Sequence, residues 1–159
     1  MKRILTAICC FIFCTFSLLA QSKKQIKQNK ITSTSVTVTE NGKTINESKS
    51  VYDSKGNEIE TVDYNKEGAI KATHKLKYNS EGDEIEDDQY DAANKLVEKK
   101  LTKYNMLGEK TEELFYDGAD KLTKKHVYTY DGKGLRTERK TLDASGKVTA
   151  VKKYTYTTK

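Results

Sequence analysis

The sequence predicts an all-β fold: an antiparallel meander of about ten strands, built from 26-residue tandem hairpin repeats. Three observations predict it. Tyrosines recur at intervals of 26 residues, and such regular self-similarity is typical of repeat architectures. Each repeat also carries turn-forming Asx and Gly residues at fixed places. The segments between these turns are rich in Val, Ile, Thr and Tyr, and the chain has no proline to interrupt a strand. The main tyrosine series is Tyr52, Tyr78, Tyr104, Tyr130 and Tyr156.

The first element, residues 1–20, is predicted to be a secretory signal peptide. Lys2 and Arg3 form a basic start, an apolar run follows over 4–19, and Ala20 precedes a polar segment. The apolar run is short for crossing a bilayer, so we expect no stable membrane insertion after signal cleavage. The expected location is periplasmic, cell-surface or extracellular. All three cysteines lie in this segment, so the mature chain has no thiol for a disulfide or a metal site.

Residues 21–30 are predicted to be a polar N-terminal linker, and residues 31–159 the repeat domain. The chain is 33% charged, and removal of Lys2 and Arg3 lowers its formal net charge from +6 to +4. Positive and negative charges are mixed along the chain. Because nucleic-acid binding needs a clustered basic face, this composition argues against a nucleic-acid partner.

The turns predict hairpins. Segments such as Tyr52-Asp53-Ser54-Lys55-Gly56 place Asx first, where it can bond to the following backbone, and Gly last, where a positive φ is needed. A second tyrosine series, Tyr64, Tyr90 and Tyr116, continues with Leu142. Within each repeat the turns are therefore 12 and 14 residues apart. In one turn the glycine position holds Asp120, and we expect Gly118 to shift that turn.

Short strands such as 57–64 are predicted to alternate with longer ones such as 69–78, after an opening strand over 31–38. A register that starts from an Asn65–Ala69 pair sets Glu60 opposite His74 and Glu112 opposite His126. It also sets Asp63 opposite Lys71 and Asp87 opposite Lys75. The same offset pairs Glu86 with Lys100 and Glu138 with Lys152.

The strand pattern also predicts one face rich in Tyr, Ile, Leu and Val and one ionic face. A meander with one apolar face curls, closes or binds a partner. We expect an open twisted sheet, with a closed up-and-down barrel as the alternative.

The segment Tyr128-Thr129-Tyr130-Asp131-Gly132-Lys133-Gly134-Leu135 resembles the YD repeat of bacterial RHS proteins. Val51 to Asn57 and Tyr154-Thr155-Tyr156 are similar to it, and the resemblance covers roughly 38–156. It implies β-hairpins that spiral into a shell around a cargo domain, and some relatives are loosely described as sugar-binding. This array is short, alternates 12- and 14-residue spacings and is not followed by a toxin-like domain. The resemblance therefore implies the hairpin fold more than encapsulation.

No residue pattern predicts catalysis, a cofactor or a metal site. The sequence lacks phosphate-binding and nucleophile-elbow motifs, and the two histidines exclude H-E-x-x-H. His74 and His126 share one repeat position with Lys100 and Lys152, which favours cross-strand ion pairs over acid–base chemistry. The acidic run 83–88 could collect calcium, but strand alternation divides it between two faces. We predict that the protein is not an enzyme.

The tyrosines near the C-terminus are the strongest candidates for binding. They are predicted to form a core ladder or, alternatively, an aromatic row on which sugar rings or a protein stack. This surface comprises Tyr128, Tyr130, Tyr154 and Tyr156. The leading hypothesis is an exported, non-catalytic binding or structural module for protein or envelope polysaccharide. A lipocalin-like carrier of small ligands is the alternative if the sheet closes, and the oligomeric state is left open.

Overall fold

A computed structural model describes residues 22–158, so the predicted signal peptide lies outside the described residues. Ten strands form one antiparallel sheet in strict sequence order, with β1 and β10 at its two edges. The sheet is open, which confirms the predicted meander and makes the closed-barrel alternative wrong. The strands are β1 (Ser33–Glu40), β2 (Lys43–Tyr52), β3 (Glu58–Tyr64), β4 (Ile70–Tyr78), β5 (Glu84–Asp91), β6 (Leu96–Tyr104), β7 (Lys110–Asp117), β8 (Leu122–Tyr130), β9 (Arg136–Asp143) and β10 (Val148–Lys153).

A short helix, α1 (Lys23–Gln28), lies within the segment predicted to be a linker. Ser22 caps it through a capping box with Gln25, which satisfies backbone donors at the helix start. Ile26 is 2% exposed and is the most deeply buried large side chain described. The helix covers the N-terminal end of the sheet. Within residues 22–158 no helix is long and apolar enough to cross a membrane.

The eight turns from β2 onward share one geometry. In each, an Asx side chain accepts a hydrogen bond from the backbone N–H four residues ahead, as Asn65 does from Ala69. In every one of these turns except that of Asn79, the same side chain also accepts from the N–H two residues ahead. The fourth residue of each turn has positive φ, as in Gly68 (φ +83). Asp120 adopts the same conformation at φ 61, and its N–H donates to the Asp117 carbonyl. The expectation that Gly118 shifts this turn is therefore wrong.

A β-bulge beside each of these turns moves the register by one residue. Tyr64 pairs with Ile70 as predicted, but Lys71 is left over and Asp63 pairs with Ala72. In the last four hairpins the extra residue is a threonine whose hydroxyl donates to a carbonyl of the neighbouring strand. These threonines are Thr111, Thr123, Thr137 and Thr149.

The predicted cross-strand pairs beyond the bulge are accordingly wrong. Glu60 lies opposite Lys75 and Glu86 opposite Leu101, while Glu112 lies opposite Val127 and Glu138 opposite Lys153. The two pairs predicted on the other face fail for the same reason, since Asp63 lies opposite Ala72 and Asp87 opposite Leu76. A turn alone sets the register only as far as the first irregularity in the ladder.

The bulges also redistribute charge between the two faces. We call the front face the one that carries Ala72, His74, Asp87, Lys100, Thr102, Glu113, Phe115, His126, Tyr128 and Arg139. The back face carries Val62, Lys77, Glu86, Leu101, Lys103, Glu112, Leu114, Val127 and Lys140. Both faces mix apolar and ionic side chains, so the prediction of one apolar and one ionic face is wrong.

A one-layer sheet leaves little room for a core. Among the sheet residues only Ala72 and Phe115 are buried hydrophobics, and Thr102 and Glu113 are buried beside them. Long side chains cover part of the apolar surface, as where Lys124 Nζ lies 4.2 Å from the Phe115 ring centroid. Contacts between neighbouring strands therefore carry most of the packing.

Candidate functional site

The four tyrosines predicted as a binding surface lie at the C-terminal edge of the sheet, and three of them surround Arg136. The Arg136 Cζ atom lies 4.5 Å from the ring centroid of Tyr128, and 5.8 Å from those of Tyr130 and Tyr154. The Tyr156 hydroxyl donates to the Arg136 carbonyl at 2.8 Å. β8 supplies the first two rings, β9 begins with Arg136, and the last two tyrosines follow β10.

Two of these tyrosines belong to a structural ladder. The Tyr130 hydroxyl donates to the Lys110 carbonyl at 2.8 Å, and Tyr156 makes the equivalent bond. Tyr78 and Tyr104 donate in the same way to Glu58 and Glu84. Burial, followed by the nearby Glu84 and Glu58 carboxylates, raises the pKa of Tyr78 to about 12, so this hydroxyl stays a donor. The series thus ties each long strand to the strand before it.

Tyr128 and Tyr154 have a different origin. The equivalent positions one, two and three repeats before Tyr128 hold Thr102, Leu76 and Ser50, so aromatic rings enter this place only in the last two repeats. Both rings are half-buried; Tyr128 donates its hydroxyl to Glu113, and Tyr154 follows the edge strand β10. These two rings, rather than the ladder tyrosines, set the C-terminal end of the front face apart.

Arg136 is held in place electrostatically. Burial lowers the pKa of its guanidinium, but the hydroxyls of Tyr130 and Tyr154 outweigh that effect and the pKa is raised. The Nε atoms of Arg136 and Arg139 are buried without an acceptor in residues 22–158. Lys152 Nζ lies 5.3 Å from the Tyr154 ring centroid, so a second cation contacts the aromatic cluster.

Glu113 is the most constrained carboxylate of the front face. It accepts from Lys110 Nζ at 2.6 Å, from His126 Nδ1 at 3.1 Å and from the Tyr128 hydroxyl. Burial raises its pKa, but the hydrogen bonds from Lys110, Tyr128 and His126 outweigh that effect and lower the pKa to about 2. Burial, followed by the hydrogen bond to Glu113, raises the pKa of the Tyr128 hydroxyl. Glu113 is therefore a fixed anion.

The two histidines sit in cross-strand pairs, as their shared repeat position predicts. The carboxylates differ from those expected: His74 Nδ1 lies 2.9 Å from Asp87, and His126 contacts Glu113. The ring of His126 also packs edge-on against Phe115, with centroids 5.0 Å apart. His126 is thus surrounded by structural contacts, whereas within the described structure the His74 ring makes a single polar contact, with Asp87.

The acidic run 83–88 is divided between the two faces, as alternation predicts. Asp87 points to the front face, while Glu86 and Asp88 lie on the back face. Burial and the neighbouring Glu86 carboxylate raise the pKa of Asp88. Within residues 22–158 no group of three or more His, Cys, Asp or Glu residues is arranged to hold a metal ion.

A concavity of about 720 Å³ lies between helix α1 and the sheet. Ile26, Val36, Tyr52 and Asn57 are among its lining residues, and the Oδ1 atom of Asn57 is buried without a hydrogen-bond partner in the described structure. Most of its remaining lining is Ser, Thr and carboxylate side chains from β1 to β3. Its walls are formed where Lys23 and Ile26 of the helix face the sheet.

Sequence reasoning missed Arg136 and Arg139 as parts of the aromatic site. A signal for them was present, because Arg139 replaces the carboxylates Asp87 and Glu113 of the two preceding repeats. Such a replacement of an acidic residue by a basic one at an equivalent repeat position distinguishes the last repeat from the others.

No family model matches the chain, and no curated protein matches it. Among solved structures, a protein of unknown function from Bacteroides fragilis has a TM-score of 0.45 and 13% identity, over 80% of this chain and 96% of that one. TarM has a TM-score of 0.32 and 16% identity, and the match spans 79% of this chain but only 22% of TarM. An S. aureus TarM mutant in complex with fondaparinux, α-GlcNAc-glycerol and UDP gives similar figures: a TM-score of 0.31, 14% identity, and coverage of 79% and 22%.

Proposed function

We propose that the protein is an exported, non-catalytic binding module that recognises envelope polysaccharide through the aromatic cluster at the C-terminal edge of its sheet. The observation that carries the proposal is the grouping of Tyr128, Tyr130 and Tyr154 around Arg136. Tyrosine offers an apolar ring face to a sugar ring and a hydroxyl to its polar rim.

Three features support this role over the others considered. The sheet has two free edges, which removes the closed cavity that a lipocalin-like carrier needs. The histidines and the Glu113 carboxylate are held in pairs, which leaves no poised acid or base among them. The aromatic residues that depart from the repeat, Tyr128 and Tyr154, lie together at one end. A role confined to strand packing does not require that grouping.

The test is co-sedimentation of the purified protein with isolated cell-envelope polysaccharide at low and at high salt. We expect binding that persists in part at high salt, because stacking on tyrosine rings does not depend on ion pairing. Replacing Tyr128 and Tyr154 together by Leu, the residue that the repeat places at Leu76, is expected to remove most of the salt-resistant binding.

The matched control is Tyr116→Leu on the back face. Its position belongs to the series in which Leu142 already replaces tyrosine, so the same chemical change is tolerated there by the repeat itself. Binding that is unaffected by the Tyr128 and Tyr154 changes, or that falls equally with Tyr116→Leu, would refute recognition by this cluster. Absence of binding at both salt concentrations would refute the glycan-binding function.

A further inference from the structure

The front face carries a line of ion pairs that repeats with the 26-residue period. Asp87 is contacted by His74 at 2.9 Å and by Lys100 at 3.2 Å, and Lys100 also reaches Glu84 at 2.8 Å. One repeat later, Glu113 is contacted by Lys110 and His126. In both repeats every basic side chain of the set has a carboxylate partner.

In the last repeat the pattern loses its acids. The place of Glu84 and Lys110 is taken by Arg136, that of Asp87 and Glu113 by Arg139, and that of Lys100 and His126 by Lys152. Arg139 and Lys152 lie directly opposite each other in the pairing of β9 with β10. Like charges placed opposite each other destabilise a sheet, so packing alone does not favour this arrangement.

Within residues 22–158 none of these three cations takes part in an ion pair. Glu113, the carboxylate that accepts from the Tyr128 hydroxyl, is already bonded to Lys110 and His126 as well. Glu138 of β9 lies on the back face, 3.3 Å from Lys140. The described protein therefore leaves three positive charges uncompensated beside the aromatic cluster.

We infer that this basic–aromatic surface, formed by Arg136, Arg139, Lys152, Tyr128 and Tyr154, binds a carboxylated polysaccharide, an inference that rests on the proposed glycan-binding function. Guanidinium groups recognise carboxylates through paired, charge-assisted hydrogen bonds. The tyrosine rings contact the apolar face of the sugar that bears the acid. An acidic sugar thus uses both halves of the surface, whereas a neutral sugar uses only the rings.

Arg139→Glu tests the inference, because it restores the acid that the two preceding repeats hold at this position. The new carboxylate faces Lys152, so the variant is expected to be at least as stable as the parent toward heat. Its affinity for sodium polygalacturonate is expected to fall roughly tenfold or more, since a hydrogen bond to a charged group contributes on that order. Arg139→Gln is expected to lose affinity to a smaller extent.

Lys140→Glu is the matched control, because it makes the same charge change at the neighbouring residue, on the back face. It is expected to leave polygalacturonate binding within about twofold of the parent, the residual effect being long-range and screened by salt. Calorimetric titrations of protein produced from the full-length chain compare polygalacturonate with neutral dextran and with poly-L-glutamate, which is carboxylated but is not a sugar.

Each result decides a separate point. Preference for polygalacturonate over both other polymers, lost in Arg139→Glu and kept in Lys140→Glu, is the expected outcome. Equal binding of dextran would overturn the acidic-ligand inference while leaving the glycan-binding function intact. Equal binding of poly-L-glutamate would overturn it in favour of an acidic protein partner. Binding of neither polysaccharide would also overturn the acidic-ligand inference, whereas the glycan-binding function is decided by the co-sedimentation with envelope polysaccharide.

Discussion

Glu113 shows how a single residue orders the front face. It is buried at 9% exposure in a sheet that has almost no apolar core, and three different donors converge on it. A buried carboxylate is unfavourable unless it is hydrogen-bonded, and here one bond comes from Lys110 of β7 itself and two come from His126 and Tyr128 of β8. The charge therefore contributes to stability only as long as it stays ionised.

The stability of the protein is expected to fall in acid through Glu113. Its pKa is lowered from the ordinary value of 4.5 to about 2, so the fold binds this proton less tightly than the unfolded chain does. The contribution is complete above pH about 4.5, on the order of 3 kcal/mol, and is lost as the pH falls toward 2. Urea unfolding followed by circular dichroism between pH 2 and 7 measures it.

Glu113→Gln is the variant that isolates this contribution. It is expected to be less stable than the parent at pH 7, with the difference shrinking as the pH falls, because the amide has no charge to lose. Glu67→Gln, in an exposed turn, serves as the control and is expected to follow the parent at every pH. A difference between Glu113→Gln and the parent that stays constant with pH would contradict this account.

At the residue scale, the sequence predicts that a basic side chain contacts a carboxylate across the strands, but it does not predict which carboxylate. The shared position of His74, Lys100 and His126 indicated cross-strand pairing with carboxylates, and each of these side chains contacts a carboxylate of a neighbouring strand. The predicted carboxylates were wrong, because nothing in the turn sequence shows a bulge two residues away. Lys100 and His126 contact the residue after the one expected, and His74 contacts Asp87 of β5 in place of Glu60 of β3. The convergence of donors on Glu113 was also not predictable, because it depends on that register.

At the scale of the element, glycine is required in the turns for two different reasons: the backbone conformation and, in one turn, close approach of helix α1. Gly68 has φ +83 and open space where a Cβ would point, so glycine is needed there only for the backbone conformation. Gly56 has nearly the same conformation, φ +82, but its Cβ would lie 2.7 Å from the Lys23 carbonyl oxygen. The second turn is thus also the place where helix α1 approaches the sheet.

Replacing each glycine by alanine separates these two effects. Gly68→Ala is expected to lower the free energy of unfolding by about 1–2 kcal/mol, the cost of a Cβ in the left-handed region. Gly56→Ala carries the same cost plus displacement of α1, and is expected to be clearly more destabilising. Unfolding by urea gives the free energies, and faster amide exchange over Lys23–Gln28 reports release of the helix. Equal effects of the two substitutions would mean that α1 adds nothing to the stability of the sheet.

The strands and turns were predictable from the sequence, because turn chemistry and strand composition agree at each repeat. The helix was not, since a six-residue polar segment becomes helical only through its capping box and the burial of Ile26 against the sheet. The Asp120 turn was mispredicted for a related reason: the other turn interactions outweigh the modest cost of a positive φ for Asp.

At the scale of the whole molecule, the 26-residue period rather than the single hairpin is the structural unit. Ladder tyrosines such as Tyr78 and Tyr104 lie on the front face, and the other series, such as Tyr90 and Tyr116, lies on the back face. The two kinds of turn have the same geometry. The strand after a front-face tyrosine begins with a front-face residue, and the strand after a back-face tyrosine begins with a back-face residue. One full repeat restores the original faces, whereas one strand and its turn exchange them.

Deletion of residues 79–104 tests this unit. The seam joins Tyr78 to Asn105, so that Tyr78 takes the place of Tyr104 and Lys77 takes the place of Lys103 opposite Glu112. Because each strand contacts only its sequence neighbours, the shortened chain is expected to fold into an eight-stranded sheet with a single cooperative transition at a lower temperature.

Deletion of residues 79–90 is the matched control, since it removes one turn and one strand. It joins Tyr78, a front-face tyrosine, to the turn that begins at Asp91 and normally follows the back-face Tyr90. Every side chain after the junction therefore moves to the opposite face. The ladder bond from Tyr104 to Glu84 is lost, and the N-terminal strands no longer share a face with their repeat equivalents. We expect this shorter deletion to be the more destabilising of the two in thermal unfolding followed by circular dichroism. A half-repeat deletion as stable as the full-repeat deletion would show that the hairpin, and not the 26-residue period, is the unit on which the sheet is built.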